Sequence, residues 1–454
     1  MRKENFFDPT CCQLCGECLF QCPVLNYPLK RAKQEKSRLN QAKPSSVLDL
    51  CTTCFSCNYY CPNQCSPYEL VLLRWQERYE QKGLPAIARM VVPTEPASLW
   101  SQLYPFLDEE ELEQIKKWRE SRGKEEKELL LTGCFSGLNP LLAKSRIFSE
   151  LIPFGNELFW CSGGHIYQLG LLELVEEIGT LEKEFLEQIN PKRIITLMNA
   201  EYVMLKRIFP EKFGLEIPFP ALPLEQWLLQ RIKGGELKLE QKIKKKITIH
   251  DNCFSKPLGE ESWQAVREIV RLCGAEIVEM RHHQKDALCC GFGAGAGRFN
   301  LFDLLNHGWR RLKEAEESGA DWLLVYCSAC YFILSVVKAL VGSRLEIYHL
   351  SELAELSCGA EPRHKLNHRA WDLLAIISAQ VMRMVLFKKE RERFWIAPEL
   401  LKEKFGKEEL ELVSDSLTSF LRGIYQSRFI QNPLTRAGIH LFSRMLLSLQ
   451  RRGR

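Results

Sequence analysis

KKITIHDNCFSKP, residues 245–257, passes from an alternating β-branched run into a polar turn that carries a cysteine. A short apolar run closed by Asp, Asn, Ser and Pro reads as a strand followed by a turn. The same passage occurs in ELLLTGCFSG, residues 128–137, and both turns contain Cys-Phe-Ser. Later landmarks repeat in step: WCSGGH (160–165) corresponds to LCCGFG (288–293), and ITLMNAEY (195–202) to LVYCSACY (324–331). Thirty-four residues separate Gly163 from Met198, and thirty-five separate Gly291 from Cys327. Amphipathic helical patterns lie between these runs, so the sequence predicts an α/β fold with an internal repeat.

Upstream of the repeat the chain is dense in cysteine. Cys12, Cys15, Cys18 and Cys22-Pro23 form C-x2-C-x2-C-x3-C-P, and Cys51, Cys54, Cys57 and Cys61-Pro62 repeat it without a gap. This run is the bacterial ferredoxin pattern, in which the fourth cysteine ligates the other cluster. It assigns Cys12, Cys15, Cys18 and Cys61 to one [4Fe-4S] cubane, and Cys51, Cys54, Cys57 and Cys22 to a second. Each fourth cysteine, set off by proline, is expected to start a helix directed at the other cubane. Paired C-x2-C motifs also suit tetrahedral zinc, but two complete copies ending in Cys-Pro favour iron. Cys11 and Cys65 are left over and read as ordinary thiols.

A second set follows the strands of the later repeat: Cys253, thirty-five residues, Cys289-Cys290-Gly291, thirty-five residues, then Cys327-Ser-Ala-Cys330. Strand ends on one edge of a parallel sheet converge, where open α/β sheets place functional crevices. The set resembles the cysteine-rich CCG domain of the heterodisulfide reductase family, found also in the C subunit of anaerobic glycerol-3-phosphate dehydrogenase. The resemblance spans roughly residues 8–357, and the layout is most similar to the D subunit of heterodisulfide reductase. It implies a noncubane [4Fe-4S] cluster at Cys253, Cys289, Cys290, Cys327 and Cys330, which would also be the catalytic residues. Gly291 and Gly293, in GFGAGAG, are read as cofactor-binding positions where backbone approaches the cluster closely. A dinucleotide site is a weak alternative, because no acid ends a second strand about twenty residues on. In the earlier repeat Cys134 and Cys161 remain, while Ser162, Met198 and Glu201 stand where the other thiols would be. That copy is expected to bind no cluster and to serve as scaffold, walling a cleft that faces the second copy. Among His165, His250, His282 and His283, His250 and His283 are the first candidates for a proton donor.

The fold expected is therefore α/β with five parts: a helical ferredoxin-like domain with two [4Fe-4S] clusters (1–85), a linker (86–125), a degenerate CCG repeat (126–235), a cluster-binding CCG repeat (236–357), and a helical C-terminal extension with a basic tail (358–454). The 454 residues, 46% hydrophobic and 26% charged, exclude a disordered chain. Nineteen cysteines without an N-terminal apolar run point to metal or redox chemistry in the cytoplasm, not to a secreted disulfide framework. The longest apolar stretch, residues 322–342, contains two cysteines, serines and Lys338, and reads as a buried strand, turn and helix.

The formal charge of +5 belongs to the tail: residues 421–454 hold seven arginines and no acid, leaving −2 for the rest. Arg436, His440 and Arg444 fall on one face of a terminal helix, and Ile439, Phe442, Leu446 and Leu449 on the other. Such a helix suits docking to another subunit or peripheral contact with the inner face of a membrane, and without a stacking motif it gives no case for nucleic acid. The function expected is an iron–sulfur electron-transfer subunit of a multi-subunit oxidoreductase in anaerobic metabolism, with disulfide reduction at the CCG cluster. The alternative is a non-catalytic relay between a dehydrogenase and a membrane quinone module. The resemblance implies redox partners: a flavoprotein, a hydrogenase or dehydrogenase, or a membrane cytochrome, with a disulfide or small redox protein as acceptor.

Overall fold

The computed structural model describes residues 3–92, 95, 98–120, 128–154, 162–293, 295, 300–363, 366–387, 392–396 and 415–452. Cys161 and most of GAGAG after Phe292 lie outside these residues.

Two four-stranded sheets, every pairing parallel, form the body. The first contains β1 (Glu128–Leu131), β2 (Ile152–Phe154), β3 (Arg193–Thr196) and β4 (Ala221–Pro223), in the order β2-β1-β3-β4. The second contains β5 (Lys246–His250), β6 (Glu276–Ile277), β7 (Trp322–Val325) and β8 (Glu346–His349), in the order β6-β5-β7-β8. The order is the same in both, so the repeat seen in the sequence is a repeat of topology. Each Cys-Phe-Ser forms a 3-10 turn just beyond its strand, at Cys134–Leu138 and Cys253–Ser255. Central strands of parallel sheets are covered on both faces. The leucine and isoleucine runs of β1, β3, β5 and β7 are accordingly buried.

The carboxyl ends of the two sheets face one another. Ser136, after β1, bonds Ser328, after β7, at 3.0 Å. Asn252, after β5, donates to Asn199, after β3, at 2.7 Å. Each contact joins the turn after the first strand of one copy to the segment after the third strand of the other, so the copies meet about an approximate two-fold axis. The apolar stretch from Trp322 divides as expected into β7 and a helix, Ser328–Val341. No helix of the described residues is long and apolar enough to cross a membrane.

The N-terminal region is a set of short helices and tight turns. In both cysteine runs the backbone turns left-handed at the same places: Leu14 and Thr53, two residues after the first cysteine, and Gly16 and Phe55, one residue after the second. Non-glycine residues in this conformation cost about 1–3 kcal/mol each and collect at functional turns. The fourth cysteines depart from expectation. Turns follow Cys22 and Cys61, and the long helices start only at Leu29 and Pro67; it is the third cysteines, Cys18 and Cys57, that sit in short helices. A left-handed residue before each short helix sets its start, so the turn and not the proline directs the helix. Cys11 and Cys65, expected as separate thiols, form a disulfide. Asn63 holds the two loops together by donating to the Cys11 carbonyl at 3.1 Å.

Residues 86–120 are helical and packed in their described parts. Trp100, Leu103, Ile115 and Trp118 are buried, and Trp100 Nε1 donates to the Cys134 carbonyl at 2.9 Å. The C-terminal extension contributes helices Leu366–Leu386, Ser416–Tyr425 and Pro433–Arg452.

Candidate metal centre

All five cysteines of the second set line one cavity between the two carboxyl sheet edges. Cys253 enters from the turn after β5, Cys289 and Cys290 from the loop leading to Gly291, and Cys327 and Cys330 from the start of the helix after β7. Asp251 holds the first turn: it accepts from Arg267 at 2.9 and 3.1 Å, from Tyr326 Oη at 2.9 Å and from the Gln284 amide at 2.6 Å. Burial raises its carboxyl, and the Arg267 bonds outweigh this, holding it below the ordinary value.

His250 brings a ring nitrogen within 4.8 Å of the Cys290 and Cys330 sulfurs. Arg311, fully buried, donates through Nε to His250 Nδ1 at 2.9 Å. An accepting Nδ1 places the ring proton on Nε2, which is buried and has no other hydrogen-bond partner among the described residues. Burial keeps the ring neutral by lowering its pKa. Bonds from Cys289 and Cys330, joined by His250, hold the Cys290 thiol well below its ordinary value against the effect of burial. Burial instead raises the Cys253 thiol. His282 lies outside the cavity lining and pairs with Glu314, which also accepts from Arg311 at 2.6 Å. His283 is likewise outside the lining, its Nδ1 bonded to the Met280 carbonyl at 2.9 Å.

The cavity's other wall belongs to the earlier repeat, with Cys134, His165, Met198 and Glu201. Phe135 and Phe292 meet edge to face across it, ring centroids 4.9 Å apart. This repeat is more than scaffold. Gln168 Nε2 donates to Cys253 Sγ at 3.1 Å and to the Thr53 carbonyl at 3.0 Å. Its two amide protons thus join the second set of cysteines to the loop between Cys51 and Cys54. Sequence spacing offered no signal for Gln168, because the contact depends on how the two repeats and the N-terminal region pack.

The glycines also admit neighbouring parts of the chain. A Cβ on Gly291, whose φ is +109°, would stand 2.2 Å from the Leu304 carbonyl oxygen, and one on Gly293 would stand 2.3 Å from Thr53 Oγ1. The space they free is taken by the helix Leu301–Glu317 and by the Cys51–Cys54 loop. Gly293 still lines the cavity, and the Gly291 amide donates to Cys289 Sγ at 3.3 Å.

In the N-terminal region Cys18 lies among Cys61, Cys12 and Cys15; burial drives its thiol up to about 12, Lys36 opposes, and those neighbours add to the rise. Cys57 lies among Cys51, Cys18, Cys54 and Cys22, and burial foremost raises it as well. The second group adjoins the cavity. Between them sits Lys256, fully buried, its Nζ donating to Ser56 Oγ at 2.6 Å and the Ala287 carbonyl at 2.8 Å. Burial raises the Cys54 thiol, but the Lys256 charge and the Ser56 hydrogen bonds bring it below the ordinary value. Tyr59 bonds the Lys256 carbonyl, Tyr60 bonds Asp286, and Ser56 donates to the Lys285 carbonyl at 2.8 Å, stitching the two regions together.

Three neighbouring groups of buried and half-buried thiols, with the Gln168 amide and the His250 imidazole turned towards the last group and the Lys256 ammonium beside the second, fit iron–sulfur clusters by donor chemistry. Residues 4–62 match the model of a 4Fe-4S dicluster domain, and residues 247–335 match that of a cysteine-rich domain named CCG. The chain is 29% identical to the D subunit of a dihydromethanophenazine:CoB–CoM heterodisulfide reductase of Methanosarcina barkeri, over 50% of this chain and 58% of that one. It is 24% identical to an EtfAB:quinone oxidoreductase of Syntrophomonas wolfei, over 67% and 44%, and 26% identical to a probable iron–sulfur-binding oxidoreductase, FadF, of Bacillus subtilis, over 54% and 37%. The chain spans about half the length of the first curated relatives it matches. It thus carries a 4Fe-4S domain and a CCG domain on a mixed α/β fold, and resembles iron–sulfur oxidoreductases.

Proposed function

We propose that the chain is an iron–sulfur electron-transfer component of a larger oxidoreductase, conducting electrons in the order Cys12/Cys15/Cys18/Cys61, Cys51/Cys54/Cys57/Cys22, then the CCG cysteines. The observation that carries this order is the Gln168 bridge from the Cys51–Cys54 loop to Cys253. Two [4Fe-4S] cubanes and a noncubane [4Fe-4S] cluster would supply one-electron steps at these three places.

The chain's own residues then have defined tasks. The Phe135–Phe292 pair walls the last site, Gln168 orients Cys253, and Arg311 holds the His250 proton on the nitrogen facing the cysteines. Reduction of a disulfide takes two electrons and two protons and yields two thiols. The relative named a heterodisulfide reductase supports that substrate class. The relative named a quinone oxidoreductase supports the alternative, a relay that delivers electrons onward without turning over a disulfide.

Protein purified without oxygen is expected to hold about twelve iron atoms per chain, for three filled clusters. When reduced chemically it should reduce low-molecular-weight disulfides in single-turnover mixing. Full iron with no reduction of any disulfide tried would favour the relay, and iron near eight would leave the CCG site without a cluster.

His250→Phe is expected to keep the iron and to lower the midpoint potential of the CCG signal by tens of millivolts, since a hydrogen bond to cluster sulfur stabilises the more negative, reduced state. An EPR-monitored redox titration measures it. An unchanged potential would remove His250 from the tuning set, and loss of iron would make it a ligand.

A further inference from the structure

The terminal helix Pro433–Arg452 is docked the opposite way from an ordinary surface helix. Its charged side faces the protein: His440 bonds the Ala339 carbonyl at 3.1 Å, Arg444 donates to the Val341 and Gly342 carbonyls at 2.7 and 3.0 Å, and Arg436 stacks over Trp371. The reason is local. Those carbonyls end the helix Ser328–Val341, where unsatisfied acceptors and the negative end of the helix dipole attract cations.

With Arg436 and Arg444 engaged against the protein, an outward line of the terminal helix is Leu434, Ala437, Gly438, Leu441 and Met445, without a charge. Leu434 is 85% exposed and Leu441 72%. Phe420 and Ile424 of the preceding helix, and Phe429 at 74% exposure, extend the apolar surface. Residues 416–454 contain no acid and seven arginines, so this segment carries a net positive charge.

The geometry points to a monotopic membrane contact: the crest inserts into the headgroup–acyl boundary of an anionic phospholipid bilayer. A protruding row of leucine, phenylalanine and methionine with cationic flanks has the chemistry of an interfacial helix. Net positive charge selects anionic headgroups over neutral ones. The contact also orients the redox site. The helix Ser328–Val341 starts beside Cys327 and Cys330 and ends under the terminal helix, and its fourteen residues span about 21 Å. Lipid is thereby placed roughly one such helix length from the CCG cysteines, at the distant end of the proposed electron path.

The test is co-flotation of the full chain, anaerobically prepared, with phosphatidylcholine vesicles that do or do not contain about a quarter phosphatidylglycerol. Wild type should float about tenfold more with the anionic vesicles, and a triple variant Leu434→Gln, Leu441→Gln, Met445→Gln should lose that enrichment about tenfold. Because all three side chains are exposed, the variant should keep wild-type iron content and melting temperature. Equal flotation of variant and wild type would overturn the proposal. So would wild type that ignores both vesicle types, including the case where sedimentation shows it forming a dimer that the triple variant dissociates, which would make the crest a self-interface.

Discussion

Cys290→Ala is expected to remove about four of about twelve iron atoms per chain and all disulfide turnover, while leaving the cubane EPR signals in place. Cys290 is the cysteine with the most support around it. Cys289 and Cys330 bond its sulfur and His250 faces it, which is why its thiol lies well below the ordinary value despite burial. A group this stabilised as thiolate binds metal with the smallest proton cost. Removing it leaves His250, and behind it Arg311, facing a void, so the site loses a ligand and the donor set its target. The cubane groups draw their cysteines from residues 12–61 alone and should fill normally. Iron and sulfide assays with EPR on both proteins measure the difference. Retention of about twelve irons would show that Cys290 is not a ligand.

Lys256→Met is expected to lower the potential of the cubane at Cys51, Cys54, Cys57 and Cys22, and to destabilise the fold. Methionine keeps most of the unbranched stem but leaves the Ser56 hydroxyl and Ala287 carbonyl without their buried donor. Each unmet buried group costs about 1–3 kcal/mol. The charge has a separate effect. A buried unit charge beside the site contributes on the order of 1 kcal/mol, or tens of millivolts for one electron. Loss of a cation disfavours the reduced cluster, so the shift is downward. Lys256→Arg should recover the potential even where packing makes it less stable. A lower melting temperature with an unmoved potential would limit Lys256 to a structural role.

Much of the fold was legible because cysteine ligation and strand burial both leave periodic marks. The two C-x2-C-x2-C-x3-C-P runs, the paired Cys-Phe-Ser turns and the spacing from Cys253 to Cys330 all show in one dimension. They do so because each ligand group follows a strand or turn of its own, and the parallel sheets repeat that order. The family resemblance of the five late cysteines likewise rests on spacing. Contacts between regions leave no such mark. Gln168 lies in a stretch with no motif, and Lys256 follows Cys253 as an ordinary turn lysine. Both matter only because the N-terminal loops pack into the edge between the two repeats.

What the sequence determined by itself was therefore the inventory: three groups of cysteines, two α/β copies of which one has lost three of the five thiols, and a terminal helix with a basic and an apolar face. Local backbone chemistry is enough for these, since spacing along a strand or helix sets which side chains share a face. Tertiary structure alone decided their relations. It placed the Cys51 group, not the Cys12 group, beside the CCG cavity, and it gave the degenerate repeat a hydrogen bond to Cys253. It also used Gly291 and Gly293 to admit neighbouring side chain and backbone, and set Arg436 and Arg444 of the last helix against the protein. Each outcome depends on which surface reaches an unsatisfied partner after the core has formed: a sulfur for Gln168, buried acceptors for Lys256, terminal carbonyls for Arg444. Such partners are far apart in the chain, and only packing brings them within bonding distance.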